Sequence, residues 1–171
     1  LVERDWYVDG KDNEEFAFGD PYYDSMTGDT CVSASVRVDY PSAVRVLATD
    51  VYLDFVVGLI TEIASREDVG AFLVTKGTNT IIAHPDTEML AQTLDTEGYD
   101  SLYANVGEAI NEGKDGVISI KGDASKYYVA LNQIENTDWY LVTYITERDM
   151  LSDLHWMEMY MVLIALAATI I

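Results

Sequence analysis

Thr30-Cys-Val-Ser-Ala-Ser-Val-Arg-Val38 alternates small or polar residues with apolar ones, and Ala43-Val-Arg-Val-Leu-Ala48 resumes after Asp39-Tyr-Pro-Ser42. Alternation with period two marks a strand with one packed face, and the intervening residues carry turn chemistry, so the two runs read as adjacent antiparallel strands. Tyr52, Phe55, Val56, Leu59, Ile60 and Ile63 then recur at helical spacing. They predict a helix capped by Asp50 or Thr49 and ended near Gly70. Further on, Ala71 to Thr75 and Thr80 to His84 flank Lys76-Gly-Thr-Asn79, a hairpin in which Gly77 and Asn79 supply positive φ. A shorter helix fits Ser101 to Glu112, with Leu102, Val106 and Ile110 facing inward. Strands at Gly116 to Lys121, Lys126 to Ile134 and Trp139 to Ile145 close the region. Hairpins with helices inserted, in place of strict strand-helix alternation, predict an α+β fold on antiparallel sheets.

Of the 171 residues, 49% are apolar and 23% charged, enough to build a core and incompatible with a disordered or collagen-like chain. A formal charge of −20 repels phosphate backbones, so nucleic acid is excluded as a partner. Cys31 is the single cysteine, and with only His84 and His155 beside it no Cys/His metal set can be assembled. Gly107 to Lys114 resembles a phosphate-binding loop, but five residues separate Gly107 from Gly113 and Asp115 stands where Ser or Thr should hold magnesium. Asp20, Asp24 and Asp29 lack the spacing of a calcium loop. Asp24 and Asp50 could form an acid/base pair only with a nucleophile or metal, and neither is in view. His84, before Pro85, reads as a hydrogen-bonded structural residue. The sequence therefore predicts a segment without catalytic residues, metal or cofactor.

At the other end, Met159-Tyr-Met-Val-Leu-Ile-Ala-Leu-Ala-Ala-Thr-Ile-Ile171 carries no charge after Glu158. These residues fall short of the ~20 that span a bilayer, and a buried core helix is the alternative. A core helix, however, keeps a polar face and a stop signal, whereas this run has no Gly, Pro or charge. It is expected to begin a transmembrane helix, with Trp156 and Tyr160 at the interface and Glu147 to Trp156 as the lead-in helix.

Polar and aromatic residues concentrate near the start, at Arg4-Asp5-Trp6-Tyr7, at Pro21-Tyr-Tyr-Asp24, and at Asp50. Together they can hold a zwitterion: Arg4 offers a two-pronged donor to a carboxylate, the Trp6 indole adds another, and Asp24 and Asp50 can neutralise an ammonium. Each also has a plain alternative. Arg4 and Asp24 could be a surface pair, Trp6 and Tyr7 core, and Asp50 the cap of the following helix.

The same residues resemble a family. Arg4-x-Trp6-Tyr7, Pro21-Tyr22-x-Asp24 with Thr27-Gly28, Leu47-Ala-Thr-Asp50 and Ile81-Ile-Ala-His-Pro85 look like the double Cache (dCache) domains of bacterial transmembrane receptors, from Arg4 to about Ile145. The resemblance implies two stacked PAS-like subdomains. Residues 1–70 would be the remaining part of a membrane-distal, ligand-binding one, 71–148 a membrane-proximal one, and 149–171 the lead-in and start of the membrane helix. By analogy with amino-acid-sensing members, Arg4 and Trp6 would hold the ligand carboxylate, Tyr22, Asp24 and Asp50 the amino group, and Tyr7 belongs to the same segment. A homodimeric receptor with residues 1–148 outside the cytoplasm is implied as well, chemoreceptor before histidine kinase or diguanylate cyclase. A membrane-tethered ectodomain without sensing function is the competing class.

Overall fold

The computed structural model describes residues 3–41, 43–66 and 68–152. The run 159–171, with Trp156 and the end of the lead-in segment, lies outside them. Among the described residues no helix is long and apolar enough to cross a membrane.

The first sheet is antiparallel and four-stranded. Helix α1 (Asp5–Gly10) precedes two short strands, β1 (Ala17–Phe18) and β2 (Tyr22–Tyr23), which pair side by side along one edge of β3 (Thr30–Tyr40). The other edge of β3 takes β4 (Ala43–Tyr52) in an unbroken ladder from Tyr40 opposite Ala43 to Cys31 opposite Tyr52. Helix α2 (Asp54–Ala64) then leads to the second sheet, made of β5 (Val69–Thr75), β6 (Ile81–Ala83), β7 (Gly116–Lys121), β8 (Lys126–Gln133) and β9 (Trp139–Thr146) in the order β6-β5-β9-β8-β7. Helix α3 (Ser101–Asn111) is inserted between β6 and β7 and capped by the Asp100 carboxylate, which accepts from the Leu102 N–H. The fold is thus α+β with two antiparallel sheets, as the hairpin grouping predicts. In the β5–β6 turn Gly77 and Asn79 do adopt positive φ, 88° and 55°.

The second sheet is packed on both faces, which is why β5 reads as a nearly continuous apolar run. Phe72, Val74, Val129, Leu131, Tyr140 and Val142 point to one side, where Leu102, Val106 and Ile110 of α3 complete a core. Ala71 and Leu73 point to the other, against Ile60 of α2 and Val32 and Leu53 from the first sheet and its exit. The two sheets are therefore joined through apolar packing on α2, not by a bare linker.

Helix α2 corrects two expectations. Neither Asp50 nor Thr49 caps it: the β3–β4 ladder runs on to Tyr52, the N-cap is Leu53, and no side chain bonds there. Leu53 is 1% exposed, so burying it fixes where strand gives way to helix. The buried stripe is also shifted. Ile60 packs inward with Val56, Val57, Ile63 and Ala64, while Phe55 is 75% exposed and Leu59 45%.

His84 directly follows β6 and is structural. Its Nδ1 accepts the Asp86 N–H at 2.9 Å, which leaves Nε2 to donate to the Tyr103 hydroxyl at 3.1 Å. Burial lowers the imidazole pKa from its usual value, outweighing the nearby Asp86 carbonyl and carboxylate. A histidine held neutral in the fold but free to charge when unfolded stabilises fully above the unfolded pKa, ~6.5. That contribution is lost as pH falls from there towards the lowered folded value. The melting temperature of the parent should accordingly drop more between pH 7 and pH 5 than that of His84→Gln, and parallel curves would show that His84 does not titrate in this window.

Candidate functional site

Strand parity places the site. In β3, Cys31, Ser33 and Ser35 share one face, and their partners across the ladder are Tyr52, Asp50 and Ala48. Tyr22 of β2 opposes Cys31 on the same face. Its hydroxyl donates to Asp50 Oδ1 at 2.7 Å, and Ser33 Oγ donates to the same oxygen at 3.0 Å. Burial, and after it the bond to the Asp50 carboxylate, push the Tyr22 hydroxyl pKa upward, so it remains a donor. Asp50 Oδ2 takes no protein hydrogen bond among the described residues, and the Asp50 side is exposed.

Asp24 stands beside this group with a different set of donors. Its carboxylate accepts the Met26 N–H at 3.2 Å, the Thr27 N–H at 3.3 Å, the Thr27 hydroxyl at 3.0 Å and the Tyr52 hydroxyl at 3.0 Å. The Met26 N–H first, then the Thr27 hydroxyl, hold it below the ordinary aspartate pKa. Asp24 is therefore an ionised group that also organises the turn ending at Gly28, where φ is 80°.

Helix α1 lies over the same sheet face. A Cβ added to Gly10 would stand 2.5 Å from Val46 Cγ1 and 2.8 Å from Ser35 Cβ, so this glycine lets the helix come down onto the strands. Trp6 and Tyr7, one turn back from Gly10, are half-buried and meet edge to face with centroids 5.8 Å apart. Arg4 is the exposed N-cap, its carbonyl accepting the N–H of Tyr7 and of Val8. Among the described residues Arg4 joins no ion pair, so the surface pair with Asp24 does not form. Beneath α1, Ser35 is fully buried and its hydroxyl has no hydrogen-bond partner among the described residues.

The structure thus brings Tyr22, Asp24 and Asp50 to one side of the first sheet and sets the helix bearing Trp6 and Tyr7 above that face. No direct bond links Arg4 to the two aspartates. Sequence reading missed Ser33, Ser35, Tyr52 and Gly10. Once a two-residue turn closes the β3–β4 hairpin, counting back from it puts Ser33 opposite Asp50 and Cys31 opposite Tyr52.

No protein-family model matches this sequence, and neither does any curated protein. Solved structures do. The ligand-binding domain of Mlp24 with asparagine is 25% identical, with a TM-score of 0.62 over 85% of this chain and 57% of that one. The ligand-binding domain of the Pseudomonas aeruginosa PAO1 amino-acid chemoreceptor PctC, in complex with GABA, gives 21% identity and 0.62 over 84% and 61%. The extracellular domain of mmHK1S-Z2, assigned to a histidine kinase, gives 21% and 0.70 over 87% and 57%. This chain spans less than two thirds of the length of each. Two of these neighbours are ligand-binding domains and the third is an extracellular domain. The fold is accordingly shared with chemoreceptor ligand-binding domains and with the extracellular domain of a histidine kinase, in line with the double Cache resemblance of the sequence.

Proposed function

We propose that this chain is the extracytoplasmic sensor segment of a bacterial transmembrane receptor and binds a free amino acid on the α1-covered face of the first sheet. The observation that carries the reading is the Asp50 carboxylate, gripped on one oxygen by Tyr22 and Ser33 and open on the other, on the face over which α1 holds Trp6 and Tyr7. Asp50 and Asp24 receive the ammonium with Tyr22 beside them, and Arg4 and Trp6 receive the carboxylate. Residues 1–70 form the membrane-distal, binding subdomain and 71–148 the membrane-proximal one. Residues 149–171 lead into a membrane helix, and two copies of the receptor pair. The output is chemotaxis, with a histidine kinase or diguanylate cyclase as the second choice. Binding shifts the population of distal conformers and displaces the attached membrane helix. The asparagine, GABA and other amino acids named with the structural neighbours support the ligand class.

A thermal-shift screen of the common amino acids tests this directly, and selective stabilisation without turnover is the expected result. Stabilisation by none of them would favour an ectodomain without sensing function. The ammonium requirement gives a sharper test, because two carboxylates that share one ammonium repel each other when no cation lies between them. The 2-hydroxy acid corresponding to the best amino acid should bind at least ~100-fold more weakly, about 2.7 kcal/mol. Equal affinities by calorimetry would place the amine end of the ligand elsewhere.

A further inference from the structure

Strand β2 is two residues long, and its residues point in opposite directions. Tyr22 faces the binding side and bonds Asp50 at 2.7 Å. Tyr23 faces away and donates to the Leu90 carbonyl, 3.4 Å off in the second-sheet unit. Just before them Asp20 accepts the Thr78 hydroxyl at 2.9 Å. Thr78 is in the β5–β6 turn, where its hydroxyl also meets those of Thr75 at 2.6 Å and Thr80 at 3.1 Å. Leu90 precedes Ala91, whose N–H bonds Ile81 of β6 at 3.0 Å. One short segment, Asp20 to Tyr23, is therefore tied to the Asp50 carboxylate on one side and, on the other, by two routes to the start of β6 at Thr80 and Ile81.

We infer that this segment is the coupling strut of the molecule, through which occupancy of the Asp50 face is transmitted to the β5–β6 turn and the Leu90 loop. The inference rests on the binding reading and assigns its route. The alternative connection through α2 is a packed apolar core including Val32, Leu53 and Ile60, and close-packed interiors resist small displacements. In the strut Pro21 is buried but Asp20, Tyr22 and Tyr23 are exposed, and beyond the two-residue pairing with β3 a few weak hydrogen bonds hold it, so it can shift when the demand on Asp50 changes. Tyr22 cannot follow an altered Asp50 without moving Tyr23, since adjacent residues of a paired strand share one backbone. Tyr23, Asp20 and Thr78 are positioning residues in this scheme and do not touch the ligand.

Hydrogen exchange on the full chain tests the strut without any ligand. Asp50→Ala, which removes the acceptor shared by Tyr22 and Ser33, should speed exchange of the amides of Thr80 and Ala91 about fivefold, the factor that one lost hydrogen bond supplies. In a Tyr23→Phe, Thr78→Val background the same substitution should leave those amides unchanged. Unaltered exchange in Asp50→Ala, or an effect that persists in that background, overturns the strut. Calorimetric titration with the twenty common amino acids, taken singly, keeps the two ideas apart. Undiminished affinity in the Tyr23→Phe, Thr78→Val variant supports a coupling role, and a lost affinity would move these residues into the binding site. Should none of the amino acids bind the parent, the ligand class falls while the exchange result still decides the strut.

Discussion

Arg4→Ala is expected to weaken amino-acid binding by about 2–5 kcal/mol, the range for leaving a charged partner buried and unpaired. In affinity this is roughly 30-fold to several thousand-fold. A guanidinium presents two parallel N–H donors to a carboxylate and an ammonium does not, so Arg4→Lys should recover only part of the loss. The effect should be confined to binding. Arg4 contributes its backbone carbonyl to the first turn of α1, accepting Tyr7 N–H at 2.9 Å and Val8 N–H at 3.0 Å, and substitution leaves that carbonyl in place. Its side chain is exposed and in none of the ion pairs among the described residues, so the unfolding midpoint should hardly move. Unchanged affinity in both variants would remove Arg4 from the site and leave Trp6 as the candidate for the carboxylate end.

Much of the fold was legible because hairpin alternation is a local signal, and the β3–β4 pair follows from it together with the turn at Pro41. The boundary of α2 was not. Asp50 has the chemistry of a helix cap, and only the partner strand, which holds it opposite Ser33, keeps it in the sheet. The face of α2 was ambiguous for a related reason. With Phe55, Val56, Val57, Leu59 and Ile60 all apolar, periodicity allows two overlapping stripes, and contact with Ala71 and Leu73 of the second sheet selects one. At the proposed site, Tyr22, Asp24 and Asp50 are proposed from the sequence, and the fold brings them to one side of the first sheet. Tyr52 read as part of the helical stripe, yet its hydroxyl bonds Asp24 across β3. Gly10 carried no local signal at all, since its importance is that a Cβ there would stand 2.5 Å from Val46 Cγ1, a constraint set across the fold.

Phe72→Ala should have the opposite profile to Arg4→Ala, with stability lost and affinity kept. Phe72 is fully buried in β5, which is flanked on both edges by β6 and β9 and so cannot shift outward to fill a void. Its ring packs among the rings of Tyr103, His84 and Tyr144, with centroids 5.2, 6.2 and 6.2 Å away. These neighbours are themselves constrained. His84 is bonded to Tyr103, and the Tyr144 ring lies so close over Gly70 that a Cβ there would overlap it. A cavity lined by fixed rings relaxes little, which puts the cost at the upper, 3–5 kcal/mol, end of large-to-small core substitutions. Against the 5–15 kcal/mol typical of a folded domain, that is a large fraction of the total. Urea unfolding should show a much lower midpoint at unchanged slope, the mark of altered stability without altered compactness. The proposed binding face belongs to the other sheet, so protein that remains folded should bind with near-parental affinity. A loss below about 1 kcal/mol would mean that the aromatic cluster closes over the vacancy and is not the rigid unit that these bonds imply.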